Sequence, residues 1–256
     1  MKILAVGDIV GSAGINELKL KLKEIKEKEN IDFVIVNGEN SAEGMGITEK
    51  NFNDILAEKV DVITMGNHTW GKKDIFKFIN HPKLIRPANY PLGVQGKGYN
   101  IYEFKDKKIG VINLIGRVDM NVLSENPFLI AKKIIEKIEK QVDIIVIDFH
   151  AEATAEKIAL ANYLDGKATI IFGTHTHVQT ADEQILEKGT GYITDIGMTG
   201  PKHSVIGMDI SASIKRFETT LPERYKIAGG ETMLNGVVFE VDDETNKVKN
   251  IERIRC

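Results

Sequence analysis

Short apolar runs, rich in β-branched residues, recur along the chain, and each stops at a polar or glycine-containing string. Ile3-Leu-Ala-Val6 ends at Gly7-Asp8, Phe33-Val-Ile-Val36 ends at Asn37-Gly-Glu-Asn40, and Val60-Asp-Val-Ile63 leads to Gly66-Asn-His68. Ile144-Ile-Val-Ile147 ends at Asp148-Phe-His150, and Ala168-Thr-Ile-Ile-Phe172 ends at Gly173-Thr-His-Thr-His177. Apolar runs of this length, with little alternation, are the pattern of strands buried on both faces. Between them the period changes to that of helices. Leu18, Leu22 and Ile25, set among Lys and Glu, predict an amphipathic helix over 14–29. Thr48 is placed to cap a helix over 48–58, after a glycine-rich loop from Glu39. Asn126-Pro127 opens a helix over 126–140, and 152–164 follows with Ile158, Leu160 and Tyr163. Residues 100–113 predict a hairpin turning at Lys105-Asp-Lys107. After Gly191 strands are predicted at 192–195, 207–217, 234–241 and 248–253, the last pair joined at Asp242-Asp-Glu-Thr245.

An α/β first half followed by a β-rich tail predicts two packed sheets with helices outside. The polar strings come from both halves of the chain, and no Pro/Ser/Gly-rich linker separates them, so a single domain over 1–256 is expected. In open α/β sheets the carboxyl ends of the strands share one edge, where ligands bind. Side chains far apart in sequence are then expected to converge there.

Composition narrows the ligand. Of 256 residues, 42% are hydrophobic and 28% charged, an ordinary soluble balance. A net charge of -3 gives no global basic field for nucleic acid, although local metal charge can still hold phosphate. The single cysteine, Cys256, can form no internal disulfide and is a poor metal ligand alone. The apolar run after Met1-Lys2 is broken by Asp8 before it reaches the length of a secretory leader, and no window is apolar enough to span a bilayer. A cytoplasmic protein without membrane contact is expected.

The side chains at the strand ends are of types that bind first-row metals: imidazole nitrogen, carboxylate and amide oxygen. The candidates are Asp8, Glu39, Asn40, Asn67, His150, His175 and His177. Singly, several have plainer readings. Asp8 before Gly11 and Gly14 suits a turn or helix cap, Asn37 and Asn40 suit turns, and a lone His150 suits a core. His175 and His177 carry more weight, because alternate residues of a strand share a face. Coincidence at five strand ends favours a metal centre, and seven donors exceed what one ion needs once water also binds. Two ions sharing a carboxylate fit the number better.

These strings resemble the calcineurin-like metallophosphoesterases. The longer ones are narrower: Asn37-Gly-Glu-Asn-Ser-Ala42, Arg86-Pro-Ala-Asn-Tyr-Pro91, Asp148-Phe-His-Ala-Glu-Ala-Thr154, Gly173-Thr-His-Thr-His-Val-Gln-Thr-Ala-Asp182 and Thr194-Asp-Ile-Gly-Met-Thr-Gly-Pro201 are similar to the bacterial 2′,3′-cyclic-nucleotide 2′-phosphodiesterase subgroup. The likeness runs over essentially the whole chain. It implies a four-layer α/β/β/α sandwich with two mixed sheets. The broad superfamily has Asp-x-His at the first strand and Gly-Asp at the second, where this chain has Asp8-Ile-Val10 and Gly38-Glu-Asn40. Similarity to the subgroup implies that Glu39 bridges two ions, with Asn40 in place of the missing imidazole. Asp8, Asn40 and His177 would hold one ion, and Asn67, His150 and His175 the other. The implied metal is iron, with manganese active in its place and zinc compatible with the donors. The implied activity is hydrolysis of cyclic nucleotides, 2′,3′-cyclic first and 3′,5′-cyclic as a second class, through a bridging hydroxide, by a homo-oligomer. His68, next to Asn67 but not a ligand, is the candidate proton donor to the leaving oxygen. Two ions with Asp8, Glu39 and a hydroxide leave about one positive charge, which suits a phosphodiester.

Weaker candidates are Arg117 for phosphate, Asn89 and Tyr90 for a base pocket, and Glu152 and Asp182 as supports of ligand imidazoles. His81 and His203 read as loop residues. Rival readings are a phosphomonoesterase or nuclease on the same metals, and a regulatory protein with an idle site. A nucleotide-binding loop at Gly7–Gly14 lacks the G-x-G-x-x-G spacing.

Overall fold

The structure, a computed structural model, describes residues 1–224 and 226–256. The first sheet contains β1 (Lys2–Val6), β2 (Asp8–Ile9), β3 (Phe33–Asn37), β4 (Val62–Thr64) and β5 (Leu84–Ile85), completed by β12 (Met198–Pro201), β13 (Thr232–Val241) and β14 (Val248–Arg255). Its order is β2-β12-β13-β1-β3-β4-β5, with β14 also on β13. The second sheet runs β10-β11-β9-β8-β7-β6, formed by β6 (Tyr99–Phe104), β7 (Lys107–Ile115), β8 (Ile144–His150), β9 (Ile170–Thr174), β10 (Gln184–Ile185) and β11 (Gly191–Ile193). Both sheets are mixed. β1, β3, β4 and β5 are mutually parallel, as are β7, β8, β9 and β11, while antiparallel strands flank each set.

Alternation within the strands distributes the apolar side chains over three layers. Ile3, Ala5, Phe33 and Ile35 face Val111, Val146, Ile170 and Phe172 of the other sheet, making the inner core. Leu4, Val6, Val34 and Val36 point outward onto α1 (Gly11–Glu29) and α2 (Glu49–Ala57), meeting Leu18, Leu22, Ile25, Phe52 and Ile55. On the far side Ile112, Leu114, Ile145 and Ile147 meet α3 (Pro127–Ile138) and α4 (Thr154–Tyr163) through Ile134, Ile135, Ile138 and Leu160. The result is the expected four-layer α/β/β/α sandwich.

Local chemistry explains the helix starts. Thr48 caps α2 in a reciprocal capping box with Asn51, and Asn126 caps α3 ahead of Pro127. One expectation fails: residues 207–217 do not form a strand, because Ile210–Thr219 is a helix, α5. Ile210, Ala212 and Ile214 alternate as strand residues would, but Ile210, Ile214 and Phe217 also fit a helical period. The Asp209 side chain decides between them by accepting the Ala212 N–H at 2.9 Å, an N-cap. β12 has no clear signal in the sequence, since Gly200 and Pro201 are weak strand formers held here by pairing with β2 and β13. Among the described residues no helix is long and apolar enough to cross a membrane.

Candidate metal centre

The carboxyl ends of β1, β3, β4, β8 and β9 meet at one edge, and all seven candidate donors lie there. Asp8 follows β1, Glu39 and Asn40 follow β3, and Asn67 and His68 follow β4; His150 ends β8, and His175 and His177 follow β9. His175 and His177 do not share a strand face. β9 stops at Thr174, and both histidines adopt left-handed backbone angles, φ 99° and 64°, so a loop delivers them to two neighbouring clusters.

In the first cluster Nε2 of His150 is the hub. It lies 2.9 Å from Asn67 Oδ1, 3.0 Å from His175 Nδ1 and 3.0 Å from Glu39 Oε1. Donors bonded at about 2.1 Å to one octahedral cation are about 3.0 Å apart along an edge, so this spacing matches a coordination shell. Gly66 makes room for it. A Cβ there would sit 2.3 Å from Glu39 Oε2 and 2.4 Å from His150 Nε2.

In the second cluster Nε2 of His177 lies 3.7 Å from Asp8 Oδ1 and 3.1 Å from Asn40 Nδ2. That amide nitrogen is also 3.3 Å from Asp8 Oδ1 and 3.4 Å from Glu39 Oε1. Oxygen and nitrogen of an amide exchange places by a rotation of the group, and the end facing Asp8, Glu39 and His177 is where a ligating oxygen belongs. Glu39 Oε1 thus borders both clusters.

The outer nitrogen of each imidazole has an acceptor, which leaves the inner lone pair free for a cation. His150 Nδ1 is 2.9 Å from Thr174 Oγ1, whose hydroxyl donates to Asp148 Oδ1 at 2.7 Å. His175 Nε2 is 3.1 Å from Glu152 Oε2, and His177 Nδ1 is 2.9 Å from the Ile206 carbonyl. The residues present therefore fit divalent ions of the iron, manganese and zinc type.

Burial and mutual charge set the protonation. Burial raises both Asp8 and Glu39, yet the histidines outweigh it, His177 keeping Asp8 low and His150 with His68 holding Glu39 well below the usual carboxylate range. Burial and the nearby His150 push His175 down to about 3. For His177 burial is overcome by the Asp8 carboxylate, which raises the ring to about 9. Asp148, buried behind His150, is pushed up to about 6 by its desolvation.

His68 borders the donor sets, its Nδ1 lying 3.3 Å from Glu39 Oε1. Its ring is about a third exposed, its backbone N–H donates to Glu39 Oε2 at 2.9 Å, and its Nδ1 meets Asn40 Oδ1 at 2.8 Å. A cleft of about 290 Å³ opens in front, lined by His68, Asn67, His175 and His177, with Met45, Ile206 and Met208 as apolar walls.

Two supports lie outside the sequence-derived set. The Lys157 Nζ on α4 pairs with Asp195 Oδ2 at 2.8 Å, both side chains being buried. The same oxygen accepts the Thr176 N–H at 3.1 Å and its hydroxyl at 2.7 Å. Thr176 separates the two loop histidines, so this buried pair fixes the loop that carries them. A lysine in an amphipathic helix reads as solvated, and only the place of Asp195 within the Thr194–Pro201 string hints at a role.

The weaker candidates divide. Glu152 does hold the His175 imidazole, as above. Asp182 does not, since it receives Thr194 N–H and hydroxyl groups instead. Asn89 is structural, bonding backbone groups of Ile115 and Glu125, and Tyr90 donates to the Gly66 carbonyl beneath the Asn67 loop. Arg117 is exposed, with its backbone N–H on Glu156. His81 packs edge-on against Phe52, and exposed His203 lies 3.5 Å from Glu231.

Comparison with known proteins shows the family and the fold. A family model described as YmdB-like protein matches residues 4–254. A Bacillus subtilis (strain 168) protein named 2′,3′-cyclic-nucleotide 2′-phosphodiesterase is 51% identical over 255 residues, covering 99% of this chain and 96% of that one. The crystal structure of a novel phosphatase from Mycoplasma pneumoniae superposes with a TM-score of 0.95 at 42% identity, covering 100% of this chain and 93% of the other. A hypothetical protein from Thermus thermophilus gives 0.94 at 35% identity, with 100% and 99% covered. At the level of fold alone, NAD nucleotidase from Haemophilus influenzae gives 0.60 at 14% identity, over 100% of this chain and 55% of that one.

Proposed function

The chain belongs to the YmdB-like family of calcineurin-like metallophosphoesterases, and from that premise we infer that it is a dinuclear-metal phosphodiesterase acting on 2′,3′-cyclic nucleotides. The observation that carries the reading is Glu39 Oε1, which borders two donor clusters at 3.0 Å from His150 Nε2 and 3.4 Å from the Asn40 amide. Asn67, His150 and His175 would hold one ion, Asp8, Asn40 and His177 the other, and Glu39 would join both. Iron is the expected occupant, with manganese as its substitute. Two such ions supply an activated water and neutralise charge on the phosphoryl oxygens.

The remaining steps belong to side chains. Met45, Ile206 and Met208 supply an apolar wall for a nucleoside, and His175 and His177 close the floor. His68 faces the cleft without belonging to a donor cluster. With the Asn40 oxygen turned to the cations, its amide N–H donates to His68 Nδ1, so the ring proton resides on Nε2. That tautomer presents a proton to the departing ribose oxygen.

The deciding experiment is metal analysis of the purified chain with a hydrolysis panel of 2′,3′-cyclic AMP, 3′,5′-cyclic AMP, a chromogenic diester and a monoester. The expected result is about two ions per chain and preference for 2′,3′-cyclic AMP. Preference for the monoester would overturn the substrate assignment.

A further inference from the structure

We propose that the catalytic cleft continues into a second nucleotide subsite, built around Ile206, Phe217, Arg224 and Lys226, which seats the penultimate nucleotide of an RNA 3′ end that terminates in a 2′,3′-cyclic phosphate. This rests on the phosphodiesterase reading and extends it from a free nucleotide to a chain end.

The connection is in the walls. Ile206 and Met208, which line the catalytic cleft, also line a neighbouring hollow of about 180 Å³ with Val205, Phe217, Arg224 and Lys226. Arg224 and Lys226 in turn border a wider depression of about 510 Å³, which reaches Glu43 at the rim of the catalytic cleft. The hollows are therefore continuous around one wall. That wall is tied to the metal centre, because the Ile206 carbonyl takes His177 Nδ1 at 2.9 Å.

Its chemistry suits one further nucleotide. Phe217 is 80% exposed, and α5 contributes no buried residue, so the core does not account for this ring. Of the cations nearby, Arg216 on α5 has a partner. Lys202 and Lys215 are paired with Glu231 and Glu223, whereas Arg224 and Lys226 form no ion pair among the described residues. An exposed aromatic ring beside uncompensated cations is the combination that stacks a base and meets a backbone phosphate in single-stranded nucleic-acid grooves. On a chain of net charge -3 such a spot is local, enough for one phosphate and too small for a long duplex.

Substrate chemistry gives the direction. In a 2′,3′-cyclic phosphate both the 2′ and 3′ oxygens are bound to phosphorus, so a chain can continue only from the 5′ oxygen. A free nucleotide needs no groove beyond the base wall, whereas an RNA end needs one that leaves the cleft past that wall. The second hollow lies there.

The test compares kcat/KM of the metal-loaded full chain on 2′,3′-cyclic AMP and on the dinucleotide adenylyl-(3′→5′)-adenosine 2′,3′-cyclic phosphate. The dinucleotide is expected to be preferred about tenfold or more, mainly through KM, with the preference shrinking as salt rises. In the double variant Arg224→Glu, Lys226→Glu the ratio should fall close to one, and Phe217→Ala should lower it independently. Equal kcat/KM on the two substrates, or a ratio untouched by both variants, would overturn the subsite. A dimer in sedimentation that Phe217→Ala dissociates would do so too, since the ring would then be covered by a second copy of the chain. No turnover of either substrate would remove the phosphodiesterase reading, and the subsite with it.

Discussion

Nδ1 of His68 sits 2.8 Å from the outer end of the Asn40 side-chain amide, so the one cleft histidine outside the donor clusters is tied to a residue inside one. That contact holds the ring by Nδ1 in the wall of the cleft. His68→Ala should lower kcat on a cyclic nucleotide by roughly 10²–10⁴ while metal content is unchanged. The defect should be much smaller on a p-nitrophenyl diester, whose leaving group departs without a proton. Loss of metal from this variant would instead make His68 a ligand.

Gly66 tests whether the first cluster holds an ion at all. Its missing side chain leaves the space between Glu39 Oε2 and His150 Nε2, both within 2.4 Å of where a Cβ would stand. Gly66→Ala should therefore displace two proposed ligands at once. At least half the bound metal is expected to be lost, since His150 would serve the first ion and Glu39 would join both. Full metal content measured on the purified variant would contradict the assignment.

Much of this is legible in the sequence, for a physical reason. Strands such as Ile144–Ile147 are buried on both faces, and their apolar runs end where the chain reaches the sheet edge, so the donors are found by their positions after the runs. What is not legible depends on tertiary partners. Residues 207–217 satisfy two periods, and only the Asp209 cap, with no sheet edge taking the segment, decides for helix. Lys157 looks like any solvated helix lysine until Asp195 is seen against it. His175 and His177 reach the expected edge by a different local geometry, because a left-handed loop, not strand alternation, directs them.

Metal loading should release protons in a way that separates the loop histidines. His177 is held up to about 9 by Asp8, so at pH 7 its ring is charged before a cation arrives. A ligand must offer a lone pair, so binding at that cluster expels the proton. His175, pushed down to about 3, is already neutral and has none to give. Loading at pH 7 should then release close to one proton from His177, with a further contribution from His150, whose ring Glu39 holds above the usual imidazole range against its burial, and raising the pH should strengthen binding until about 9 is passed. A pH-stat titration reads this directly. In His177→Gln the release should fall by about one proton, and an unchanged release would assign that proton elsewhere.

The buried Lys157–Asp195 pair makes a prediction about stability and metal affinity together. Removing one partner of a buried ion pair strands the other charge, typically costing about 3–5 kcal/mol. Lys157→Met should accordingly lower Tm. It should do more, because Asp195 Oδ2 also holds the Thr176 N–H and hydroxyl between the two proposed ligand histidines. A carboxylate that rises toward solvent or takes up a proton releases that grip, and His175 and His177 lose their shared anchor. Metal affinity should fall with stability, and excess metal should recover part of the lost Tm by mass action. Adding Asp195→Asn to Lys157→Met removes the stranded charge while keeping an acceptor for Thr176. The double variant should therefore regain both properties relative to Lys157→Met alone. Calorimetry with metal titration distinguishes the cases: a Tm loss with wild-type metal affinity would make the pair a packing element of α4 and nothing more.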